Sequence, residues 1–140
     1  MSASPQIRAL QVCVALGGCV PVAAGLAGIW LGPRLAGDVS ASVPLDSHFA
    51  YLSGLLLGIG LAFWTTIPDI AQRGARFRLL TAIVFIGGLG RLTSLLMAGT
   101  PDAPMLFGLA MELAVTPALA LWQWRVARAN PLAPPAGRTI

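Results

Sequence analysis

The chain has 140 residues, 56% of them hydrophobic and only 10% charged, with 9 basic against 5 acidic residues and a net charge of +4. A water-soluble domain of this length carries roughly a quarter charged residues, so the composition excludes a soluble enzyme and leaves no material for a separate catalytic domain. The basic residues are all arginines, most of them at the ends of apolar runs, with no basic stripe interleaved with aromatics, which argues against nucleic acid as a partner.

A hydrocarbon core about 30 Å thick takes about 20 residues of helix, and four apolar stretches of that kind fill the chain, over about 7–31, 47–67, 77–98 and 105–124. The first runs from Ile7 to Leu31 and stops at Gly32-Pro33. Arg8 and the segment Val39-Ser40-Ala41 outline a signal peptide with its cleavage site. The apolar stretch, however, far exceeds the about 7–15 residues of such a segment, and a retained helix is expected. Pro21 lies mid-span, where neighbouring helices re-satisfy the carbonyl it frees. Cys13 and Cys19 fall about 240° apart on a helix, so they neither chelate nor bridge and read as buried small hydrophobes.

A polar-leaning loop from Pro33 to Asp46 leads into the second span, Ser47 to Ile67, closed by Pro68. The connection Asp69 to Arg76 is expected to turn at Gly74. The third span, Phe77 to Ala98, is followed by a tight turn at Gly99-Thr100-Pro101-Asp102-Ala103-Pro104. The fourth span, Met105 to Trp124, ends in Trp122 and Trp124 like an interfacial aromatic belt. Residues 1–128 thus form one transmembrane domain. Residues 129–140, with Pro131, Pro134 and Pro135, are too proline-rich for a helix and are expected to be disordered.

The architecture implied is all-α, an integral membrane up-down four-helix bundle. Four spans put both termini on the side of the middle loop, which collects Arg8, Arg73, Arg76, Arg78, Arg125, Arg128 and Arg138 against Arg34 alone on the other. Positive-inside bias places that side, and both termini, in the cytoplasm. The Arg-only basic set with many Ala, Gly, Leu and Pro hints at a GC-rich bacterial genome, and with four spans the expected location is a bacterial inner membrane. Small residues recur every fourth position at Ala24, Gly28 and Gly32 and at Gly54 and Gly58. Such rows let helix backbones approach within a bundle or between copies.

No metal or cofactor motif is present, and no catalytic residue is assigned. His48 is the one histidine, insufficient alone for a zinc or bis-histidine haem site. Gly87-Gly88-Leu89-Gly90 lies inside an apolar helix rather than after a strand, so it is no phosphate loop. His48 is expected at the first turn of the second span, with Asp46 capping the helix or accepting from the imidazole and Tyr51 on the same face.

Arg91 and Glu112 are the only charges deep within the spans. Each lies eight residues from its end of the Gly99–Pro104 turn, which is roughly 12 Å at about 1.5 Å per residue. Equal depth on antiparallel neighbours lets them pair, and an unpaired charge at that depth costs several kcal/mol by most estimates. Ser94 shares the face of Arg91, and Thr116 that of Glu112 one residue before a kink expected at Pro117. With Tyr51 or Ser53 pointing in, these make a candidate polar pocket. It is either a structural ion pair or a site with Arg91 as anion ligand and Glu112 as gate or proton acceptor.

From Asp46-Ser47-His48-Phe49 and Tyr51-Leu52-Ser53-Gly54 onward, the sequence resembles the bacterial membrane proteins grouped as a domain of unknown function, DUF4345. The likeness continues through Phe77-Arg78-Leu79-Leu80 and Gly87-Gly88-Leu89-Gly90-Arg91-Leu92. It resumes at Gly99-Thr100-Pro101, Glu112, Pro117 and Trp122. The resemblance implies a small four-helix inner-membrane protein and carries no activity with it.

Three functions compete. The tiny loops and small-residue rows fit a non-catalytic accessory or partner-binding subunit, in a homo-oligomer or larger membrane complex. The Arg91/Glu112 pocket fits binding or passage of a proton or organic anion. A quinone-linked or lipid-modifying enzyme rests on architectural analogy alone.

Overall fold

The computed structural model describes residues 4–38 and 40–130, and these are helical with short connections. Val39 of the candidate cleavage site, and the proline-rich tail from Pro131 with Arg138, lie outside the described residues. In chain order the elements are α1 (Pro5–Leu31), a 3₁₀ turn (Gly32–Ala36), α2 (Val43–Trp64), α3 (Gly74–Ala98), α4 (Ala103–Ala110), a π-helical turn (Met111–Val115) and α5 (Thr116–Ala129). Four helical stretches are long and apolar enough to cross a membrane: Pro5–Ala36, Val43–Trp64, Gly74–Ala98 and Ala103–Ala129.

The helix limits differ from the expected ones at places with a local cause. Helix α2 begins at Val43 rather than Ser47, because Pro44 suits the first helical turn, where its missing N–H is not needed. Ser42 therefore holds the cap position, with no side-chain bond, and Asp46 is a first-turn residue rather than the cap. At its other end α2 stops at Trp64 rather than Ile67. The residue before Pro68 disfavours helical backbone, and Thr65 and Thr66 turn their hydroxyls onto Ala62 O and Phe63 O at 2.7 and 2.6 Å.

Gly74 does not make the turn expected of it but opens α3. Without a Cβ it admits the Gln123 amide, whose Nε2 would stand 3.3 Å from a methyl built there. The turn that does form before α4 uses Gly99 at φ 101°, a left-handed value that suits glycine. Asp102 then caps α4 by accepting from the Met105 N–H at 3.3 Å.

The chain divides into two compact units, Gln11–Pro68 and Met1–Leu10 with Asp69–Ile140. In the first, α1 and α2 run antiparallel with their backbones close together. A methyl built on Gly25 would lie 2.7 Å from Leu57 N, and one on Gly60 would lie 2.8 Å from Val22 Cγ2. Gly28 abuts Ser53, and Gly18 lies under the Trp64 indole, whose Nε1 donates to Ala15 O at 3.1 Å. Gln11 Nε2 ties down the end of α2 by donating to Ile67 O at 2.7 Å. Of the two small-residue rows, Gly28 and Gly32 are used, Gly32 against the Asp46 carboxylate, whereas Gly54 and Gly58 meet nothing within 4 Å. Cys13 and Cys19, expected to be buried, are exposed free thiols.

In the second unit, α3 packs on the π turn and α5. Its most enclosed side chains are Leu10, Ile70, Phe77, Gln123 and Val126. Gln123 Nε2 donates to Ile70 O at 2.8 Å, anchoring the connection before α3 to the far end of the fourth span. At that end Arg128 stacks 3.9 Å over the Trp124 ring, and Arg73 pairs with Asp69 at 3.4 Å on an exposed turn.

Candidate functional site: the Arg91–Glu112 pocket

The site begins with a missing side chain. Gly88 lies one turn before Arg91 on α3, and a methyl there would stand 2.6 Å from Leu113 Cδ2 and 2.9 Å from Glu112 Cβ. Its absence lets the fourth span settle directly onto α3 at the level of the two charges.

The fourth span is not regular at that level. The irregularity expected at Pro117 takes the form of a π-helical turn over Met111–Val115. Proline has no N–H and its ring crowds the carbonyl four residues earlier; an inserted residue relieves both. Met111 O receives the Thr116 N–H of the widened turn and the Thr116 hydroxyl at 2.8 Å. Glu112 sits within this turn, a kind of helix defect frequent at functional sites.

Arg91 Nε donates to Glu112 Oε1 at 3.0 Å, and Nη1 reaches the Met105 thioether at 3.0 Å. The guanidinium thereby extends from α3 toward the Gly99–Pro104 turn, since Met105 stands at the start of α4. A methyl built on Gly108 would meet only Arg91 Cζ, at 4.0 Å, so this glycine leaves the guanidinium room along α4. The two members of the pair are unequally covered: the Arg91 side chain is 39% exposed and that of Glu112 15%. Glu112 Oε2 is buried without a hydrogen-bond partner.

Beside the guanidinium lies a cavity of about 180 Å³. Arg91 and Ser94 are its polar groups, Leu95, Met105 and Leu109 its apolar walls, and Gly99 and Pro101 border it at the turn. Among the described residues, Nη2 of Arg91 has no protein acceptor. A cation with unused donors beside an open, partly apolar cavity is an arrangement that can hold an anion.

Of the residues expected in the pocket, Arg91, Glu112 and Ser94 meet in this unit. The Thr116 hydroxyl bonds backbone instead of facing the cavity. Ser53 is not at the pocket: its hydroxyl donates to Phe49 O at 2.7 Å and it packs on Gly28. Asp46, His48 and Tyr51 belong to the unit Gln11–Pro68. There Asp46 lies against Gly32, and His48 and Tyr51 are exposed on α2. No hydrogen bond joins His48 to Asp46 among the described residues. Sequence reasoning missed Met105, Gly88 and Gly108. A methionine and two glycines inside apolar runs carry no linear signal, since their importance lies in what stands opposite. Among the described residues, no cluster of three His, Cys, Asp or Glu side chains is placed to hold a metal.

The chain belongs to the family described as a domain of unknown function, DUF4345, whose sequence profile matches residues 9–123. No curated protein and no solved structure matches it.

Proposed function

We propose that this DUF4345 protein is a multi-pass protein of the bacterial inner membrane that binds, or passes, a small organic anion at Arg91. Its spans alternate in direction in an up-down arrangement, and both termini lie in the cytoplasm. The arginines between the second and third spans and after the fourth support that orientation. The observation that carries the binding reading is the unused Nη2 of Arg91 beside a cavity of about 180 Å³. Glu112 takes Nε and Met105 takes Nη1, which leaves the Nη2 donors of the guanidinium unused. Intramembrane charges are functional candidates by default because their desolvation is costly.

The test is equilibrium binding of small carboxylates to the purified protein in nanodiscs, alongside flux into proteoliposomes. Wild type is expected to bind saturably. The Arg91→Leu/Glu112→Leu double variant, which removes both charges together, is expected to fold and not to bind. Equal binding by the two proteins, or none by wild type, overturns the proposal.

A second reading, an accessory or partner-binding subunit, is favoured by the open row at Gly54 and Gly58, where nothing lies within 4 Å. Bulkier side chains on that row, such as Gly58→Leu, are then expected to release a stoichiometric partner or second copy in gentle detergent. A wild-type protein that is monomeric in every detergent contradicts it.

A further inference from the structure

We infer that the ligand of the Arg91 cavity is an aliphatic monocarboxylate, its head on Arg91 and its hydrocarbon chain along the apolar walls. The inference rests on the anion-binding reading above and narrows it by counting donors and walls. The cavity offers an anion the unused Nη2 donors of Arg91 and the hydroxyl of Ser94. A carboxylate has two oxygens, which the Nη2 donors and one hydroxyl satisfy. A phosphate has additional charged oxygens, and here they would face Leu95, Met105 and Leu109. Burying a charged oxygen without a donor is heavily unfavourable. The same walls favour methylene groups, each worth ~0.8 kcal/mol when buried, or about fourfold in affinity.

Size agrees with this. The cavity of about 180 Å³ has room for a carboxylate and the first few methylenes, at about 30 Å³ for a water-sized group. The rest of a longer chain must leave the cavity, and the surface nearby suits it. Leu96 and Met97 on α3 are 75% and 83% exposed, and Phe107 on α4 is 54% exposed. Arg91 extends toward the hairpin turn, so the cavity and the exposed Leu96, Met97 and Phe107 lie together at that end of the hairpin.

The experiment compares decanoate, acetate and inorganic phosphate on the full chain in nanodiscs, with empty nanodiscs subtracting bulk partitioning. Decanoate is expected to bind about tenfold or more tightly than acetate, and phosphate more weakly than decanoate. Leu109→Gln is expected to lower decanoate affinity about tenfold and leave acetate binding within about twofold. The Arg91→Leu/Glu112→Leu protein, monodisperse on elution, is expected to lose decanoate binding. If acetate binds as tightly as decanoate, or phosphate binds more tightly, the chain-bearing ligand is wrong while an anion site stands. Decanoate binding that survives in the double variant is binding elsewhere on the protein and overturns the inference. If wild type binds none of the three, the anion site itself fails with it.

Discussion

At the residue scale, the asymmetry of the Arg91–Glu112 pair sets what each substitution does. Glu112 is the more deeply covered member, and one of its oxygens is already buried without a partner. Arg91→Leu leaves that carboxylate uncompensated and is expected to destabilise the protein by about 3 kcal/mol. Glu112→Leu leaves an arginine whose side chain is 39% exposed and long enough to reach water, so a loss of about 1 kcal/mol is expected. The double variant should return to within about 1 kcal/mol of wild type. Reversible unfolding in mixed micelles measures all three, and two single variants as stable as wild type would show that the pair contributes nothing. Gln123 makes a second residue-scale case. Its amide holds Ile70 O in a fully enclosed setting, and Gln123→Leu strands that carbonyl. A loss of about 1–2 kcal/mol is expected, with faster hydrogen exchange in the connection before α3 as the accompanying readout.

At the element scale, the glycines fall into two classes that composition alone does not separate. Gly25 and Gly88 stand where a neighbouring helix presses on the backbone, whereas Gly54, Gly58, Gly87 and Gly90 have open space where a methyl would go. Gly25→Ala is expected to cost about 1–3 kcal/mol by overpacking against Leu57. Gly58→Ala is expected to add about 0.5–1 kcal/mol, because alanine loses less backbone entropy in a helix. Thermal unfolding of the two variants under one set of conditions decides the matter, and a shift of the same sign in both would contradict the assigned contacts. Gly88→Val should push the π turn off α3 and part Arg91 from Glu112. If so, adding Arg91→Leu on top costs much less than Arg91→Leu alone. Full additivity would mean that Gly88 and the ion pair are independent.

At the scale of the whole molecule, the exposed surface is strongly apolar, in keeping with four helical stretches long and apolar enough to cross a membrane. Trp30 and Val43 are 88% and 84% exposed, and few side chains are enclosed in either unit. Lipid covers such surfaces without driving helices together, so a thin protein core is enough. The orientation proposed for the spans is open to direct measurement. After Cys13 and Cys19 are replaced by Ala, Asp38→Cys should label from outside intact cells, and a reporter fused after Ala129 should report the cytoplasm. An external reporter signal would overturn the span count or the sidedness.

Four spans, their approximate limits and the meeting of Arg91 with Glu112 were legible in the sequence. Each follows from quantities that run along the chain. Apolar length is set by membrane thickness, and depth is set by a fixed helical rise counted from a short turn. The family resemblance was legible for the same reason, in short contiguous motifs. What only the tertiary structure decided is rotational. Neighbouring residues differ by about 100° around a helix, so linear spacing cannot say that α2 packs through Ser53, Leu57 and Gly60 while Gly54 and Gly58 stay open. The same holds for Met105 on the guanidinium, for Gly88 under the π turn and for the cavity beside Arg91. The π turn inserts a residue that no periodic count anticipates, and it fixes where Glu112 and Thr116 point. Membership of the pocket was therefore settled by which faces meet, a property of two helices together and not of either sequence segment alone.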